Sequence, residues 1–165
     1  IDDQIQDPKA AAPITAFHSA PDWAFAQTDL SAAYKIKKAR RGLGMLGRRH
    51  ILVRDEIEAE QPAEVLWGML TPAKVELDGR NAAFTIEDKT MHARILTPEN
   101  ARFETVSANP PAPQRQQPDI TKLVVRLPEK VSAVDITVLI SPDEWEKTPE
   151  SARQPLPLED WNELK

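Results

Sequence analysis

The sequence predicts an all-β protein, an antiparallel β-sandwich or set of layered sheets with a Pro-rich loop and an irregular C-terminal tail. Three observations carry this reading. Short runs of β-favouring residues recur at close spacing. Asp, Gly, Asn or Pro clusters punctuate them. No stretch sustains a helical period.

Taken in order, the first expected strands are Ile14–Ala20, Trp23–Asp29, Lys37–Leu46, His50–Glu58 and Ala63–Leu70. Next come Lys74–Leu77, Ala82–Ile86, Met91–Thr97 and Arg102–Ser107, which the turn segments Asp78–Asn81 and Glu87–Thr90 help to space. Asp78-Gly79 is the pair best suited to positive φ in a tight hairpin, so the stretch Lys74–Thr97 reads as a meander. Lys122–Leu127 and Val134–Ile140 complete the set, with Ile136, Val138 and Ile140 alternating onto one face. The N-terminal "IDDQI" also reads as a strand, and a chain that begins inside one is expected to be a piece of a longer protein.

Ala108–Asp119 carries Pro110, Pro111, Pro113 and Pro118 and has little to bury, so it is an exposed loop. Residues 1–141 are read as the β-sandwich domain, and 142–165 as an irregular polar tail. That tail holds Trp145 and Trp161, which need cover, and a short helical segment can start at Pro157. It either packs back over the sandwich or docks on a neighbour.

The chain has 165 residues, enough for one domain with a real core. Its formal net charge of −5 argues against a general nucleic-acid surface. No apolar run reaches the roughly 20 residues of a membrane span. Cysteine is absent, which removes disulfides, thiolate metal sites and cysteine nucleophiles.

The most charged stretch is "KARRGLGMLGRRHILVRDEIEAE", Lys38 to Glu60. A tight turn at Gly47-Arg48 pairs Arg40 with Asp55, Leu43 with Leu52 and Met45 with His50. The acids then answer the arginines within one hairpin, each exposed pair worth about 0.2–1 kcal/mol. The alternative is a groove wall for an acidic ligand, because the guanidinium fork binds carboxylate or sulfate bidentately. Gly42 and Gly44 let another chain segment or a ligand approach closely.

No complete catalytic constellation is legible. His18, His50 and His92 stand alone, without a second ligand at metal-binding spacing. Asp2, Asp3 and Asp7 read as a solvated turn, with a weak cation site as the alternative. Tyr34, the sole tyrosine, lies in a polar break between strands. Trp67 reads as core. Trp23, after a Pro-Asp turn, reads as core or as a sugar-stacking platform.

The ordered phrases "IDDQIQDP", "ITAFHSAPDWAFAQTDLSAAY", "KKARRGLGML", "HILVRDEIEAEQPAEVLWGMLTPAKVEL" and "KLVVRLPEK…ITVLISP" resemble the C-terminal β-sheet region of heparinase II/III-like polysaccharide lyases, over about Ile1 to Pro142. The resemblance implies an N-terminal α/α toroid as partner domain, an acidic polysaccharide substrate cleaved by β-elimination, and a periplasmic or secreted location. It also implies that the catalytic Tyr, His and Asn or Arg come from the toroid. A further histidine or metal site comes from upstream strands, so no metal, cofactor or catalytic residue is assigned to this chain. Arg40, Arg41 and Trp23 are the candidate substrate contacts. The alternative is a free-standing carbohydrate-binding or interaction module.

Overall fold

The computed structural model describes residues 1–163. Eleven strands form two antiparallel sheets. They are β1 (Ile14–Ser19), β2 (Trp23–Asp29), β3 (Lys38–Leu46), β4 (His50–Ala63), β5 (Leu66–Thr71) and β6 (Lys74–Asp78). The rest are β7 (Asn81–Ile86), β8 (Lys89–Thr97), β9 (Arg102–Ser107), β10 (Thr121–Arg126) and β11 (Val131–Ser141). The large sheet runs β1-β2-β3-β4-β11-β8-β7-β6, and the small one β5-β10-β9. Every expected strand between Ile14 and Ile140 is present.

Alternation sends each strand's residues to two differently covered faces. On one face Val53, Ile95, Ile136 and Val138 meet Trp67, Phe103, Leu123 and Val125 of the small sheet. On the other, Trp23, Phe25, Leu52 and Leu139 meet Ala152, Leu158 and Trp161 of the C-terminal tail. The sandwich is therefore a three-layer object: small sheet, large sheet and tail. The tail folds as three short 3-10 turns, Trp145–Lys147, Glu150–Arg153 and Leu158–Glu163. The last starts one residue after the expected Pro157 and buries Trp161.

Two expectations need correction. "IDDQI" is not a strand: Asp2 and Asp3 have φ of +46° and +54°, which no strand accommodates. The Asp2 carboxylate instead accepts from the Glu64 N–H and from Lys130. The charged hairpin is also shifted by one residue. Its loop has three residues, Gly47, Arg48 and Arg49, the first two at φ +55°, so Leu46 pairs with His50, Arg41 with Asp55 and Arg40 with Glu56. A one-residue slip exchanges faces, and a Gly followed by an arginine does not by itself specify the longer loop. The polar break at Tyr34 holds one helical turn, α1 (Ser31–Tyr34), closed by Lys35 at φ +54°.

The remaining turn chemistry follows the sequence. Gly79 takes φ +56° between Asp78 and Asn81, and Glu87 takes φ +55° between β7 and β8. The proline-rich segment from Pro111 to Asp119 is exposed throughout.

Candidate functional site

The charged hairpin answers itself. Arg41 donates to Asp55 from Nε at 2.7 Å and from Nη2 at 3.0 Å, on the face toward the small sheet. Burial pushes the Asp55 carboxyl up from its ordinary value, against the pull of the Arg41 guanidinium. Trp67 lies beside that carboxylate, and its Nε1 has no hydrogen-bond partner among the described residues. Arg40 points to the opposite face, where it donates to Gln27 Oε1 at 3.1 Å and stands 3.8 Å from Glu56. The two candidate arginines are thus on different faces, and each has an anionic neighbour. Their side chains keep about a third of their surface, 30% and 34%.

Trp23, the third candidate, is 5% exposed and offers no stacking platform. Its ring meets Trp161 edge-on at 5.3 Å and 75°, and its Nε1 donates to the Trp161 carbonyl at 3.2 Å. The tail covers it. Gly42 and Gly44 make this possible: a Cβ on Gly42 would stand 2.7 Å from Trp161 Cζ3, and one on Gly44 3.1 Å from the same atom. The segment expected to approach the glycines is the protein's own tail.

The tail is held by a set of residues that sequence reasoning missed. Leu158 donates its N–H to Glu56 Oε1 at 2.8 Å and accepts from Gln27 Nε2 at 2.6 Å. Arg54, 3% exposed, donates to Glu56, Thr137, Asp135 and the Pro155 carbonyl. Burial alone would raise the Glu56 carboxyl, but the Leu158 N–H, Lys38 and Arg54 outweigh it and hold the group below its ordinary value. A signal was available in Trp23, Phe25, Gln27: a polar residue at the inward position of an alternating strand must find a buried partner.

One constellation has the outline of a nucleophilic site. Ser141 Oγ is 3.0 Å from His50 Nδ1, and His50 Nε2 is 3.8 Å from Asp143. Ser141 is only 2% exposed and also accepts from the Asp143 N–H at 2.9 Å, so the hydroxyl is occupied and closed to substrate. It fastens the end of β11 to the start of β4.

A cleft of about 470 Å³ opens beside it between β6–β8 and the tail. Glu76, Asp78, His92, Asp143, Glu144 and Trp145 contribute to its lining. Arg94 lies 4.0 Å and Arg153 4.7 Å from the Trp145 ring centroid, so the indole is engaged by cations of the protein itself. A lining this rich in carboxylates repels a polyanion. Among the described residues, no group of three or more His, Cys, Asp or Glu side chains is placed to hold a metal ion, and no helix is long and apolar enough to cross a membrane.

No family model matches the sequence, and no curated protein matches it. The fold does have solved counterparts. Heparan sulfate lyase HepC from Pedobacter heparinus superposes with a TM-score of 0.66 at 14% identity, over 84% of this chain and 23% of that one. A heparinase III gene product gives 0.65 at 15% identity, over 79% of this chain and 21% of its own. A further heparinase III gives 0.64 at 10% identity, over 86% and 23%. The chain spans about a quarter of the length of these lyases, and across that quarter it has the fold of their β region.

Proposed function

We propose that this chain is the non-catalytic C-terminal β-sandwich portion of a heparinase II/III-like polysaccharide lyase, a protein that cleaves uronic-acid polysaccharides by β-elimination. What supports this most is the pairing of fold and length: most of this chain superposes on under a quarter of a heparan sulfate lyase. Elimination needs a base for the proton next to the uronate carboxylate, an acid for the leaving oxygen, and a neutralising group for the carboxylate. The chain's own groups are otherwise engaged. His50 is buried on Ser141, the Tyr34 hydroxyl accepts from Gln6 at 2.7 Å, and Arg41 is held by Asp55.

Its role in this reading is to support a toroid domain of the same polypeptide and to wall one side of the substrate cleft, in the periplasm or outside the cell. Arg40 remains the wall candidate, because its partly exposed guanidinium stands 3.8 Å from Glu56 and can take a substrate carboxylate, whereas Asp55 holds Arg41 through two bonds. Trp23 drops out of that set because the tail covers it. The competing reading, a free-standing carbohydrate-binding module, lacks an open tryptophan: Trp23, Trp67 and Trp161 are buried, and Trp145 is engaged by two arginines.

The test is an eliminase assay on heparan sulfate, alginate and related uronans, reading the absorbance of the unsaturated product. The isolated chain is expected to form none, and the parent polypeptide that contains it is expected to form it. Product from the isolated chain overturns the non-catalytic role, and an inactive parent overturns the lyase assignment.

A further inference from the structure

One row of side chains crosses the large sheet: Phe17, Ala26, Leu43, Val53, Val138 and Ile95, on β1, β2, β3, β4, β11 and β8. Directly paired residues point to the same face. At one end of the row Val138 and Ile95 are wholly buried beneath the small sheet. At the other end Phe17 is 77% and Leu43 52% exposed. The same apolar face is therefore covered over β4, β11 and β8 and bare at Phe17 and Leu43, whereas Ala39 at the start of β3 is already buried beside α1.

The small sheet stops at that border. Its β9 edge lies over the β6–β7 turn, where Phe103 N–H donates to the Gly79 carbonyl at 2.9 Å. Its other edge is β5, with Trp67 beside Asp55 of β4. Among the described residues β5 pairs only with β10, so its second edge is open and faces the bare half of the large sheet. An open strand edge above an uncovered apolar face is an unfinished layer.

We propose that strands from the rest of the parent polypeptide, outside residues 1–165, pair with the free edge of β5 and lay their apolar side chains on Phe17, Ala26 and Leu43. This rests on the lyase reading only for the identity of the parent. Three observations choose this occupant. The interface is continuous with the contact between the two sheets. Arg41, the cation two residues from Leu43 on that face, is already neutralised by Asp55, and Arg48 at the rim is turned to Ser19 Oγ and the Ala20 carbonyl, so the surface between them calls for an apolar partner. The structural counterparts are some four times longer, with chain to spare. At the usual spacing of ~4.8 Å, covering β3, β2 and β1 takes about three strands.

Hydrogen exchange tests this in the parent polypeptide and in the isolated chain. The expected result is that amides of Leu66–Thr71 and of Ile14–Ser19 exchange at least ~10-fold more slowly in the parent. Phe17→Glu with Leu43→Glu in the parent is expected to abolish that protection in Leu66–Thr71, while buried Val124 and Val138 stay protected. Equal exchange in both proteins overturns the proposal. So does a dimer of the isolated chain in light scattering that Leu43→Glu disperses, since a second copy is then the occupant. Activity on heparan sulfate is read separately: protected β5 in an inactive parent keeps the docking and refutes the lyase, and open β5 in an active parent does the reverse.

Discussion

Trp161 lies on Gly42, with its Cζ3 2.7 Å from where a Cβ would stand. The glycine is a seat for the tail, and a methyl group there has nowhere to go unless both the Leu158 side chain and the indole move. Gly42→Ala is expected to cost about 1–3 kcal/mol as overpacking, read as a lower urea midpoint. Leu43→Ala, one residue away on the exposed side, is expected to stay within about 0.5 kcal/mol. Equal effects at the two positions would remove the tail from the argument.

Trp161 itself is 1% exposed and packs on Trp23 and Phe25 at ring distances of 5.3 and 5.9 Å. Trp161→Ala is expected to destabilise by about 3–5 kcal/mol. It also uncovers Trp23, so the fluorescence of the folded variant should shift to the red. An unshifted spectrum would mean that something else covers Trp23.

Arg54 joins the sheet to the tail through Glu56 and the Pro155 carbonyl, with Thr137 and Asp135 completing its bonds. Removing it leaves the buried Glu56 carboxylate short of a partner. Arg54→Ala is expected to cost about 3–5 kcal/mol, measured by denaturant unfolding. Arg49→Ala removes an exposed pair with Asp143 and should leave the denaturant midpoint close to that of the native protein.

The pH dependence carries a sign. Burial opposes the Glu56 charge, but the Leu158 N–H, Lys38 and Arg54 prevail, so its folded value lies below the unfolded 4.5. Its contribution is complete above 4.5 and is lost as pH falls through the folded value. Asp55 has the opposite sign: burial raises it above 3.8, so its contribution is present below 3.8 and lost as pH rises through the folded value. The urea midpoint of the native protein should therefore fall more steeply on acidification below about pH 4.5 than that of Glu56→Gln. Parallel curves would show that Glu56 does not hold the tail.

The sequence alone determined the strands, because their signals are local. Alternation in Asp135–Ile140 and Asp-Gly at Asp78-Gly79 depend on residues a few positions apart, and the fold follows them. The resemblance to the lyase β region was legible for the same reason, as an order of strand phrases. What only the tertiary structure decided is which partner each strand face meets. The register of Arg40 and Arg41 turned on a three-residue loop, and a slip of one gave each guanidinium a different partner across the hairpin. The burial of Trp23 turned on Leu158 and Trp161, more than 130 positions away. Contacts at that separation are selected by packing volume and by the need to satisfy Gln27, Arg54 and Glu56 once water is excluded, and neither is visible to a local pattern.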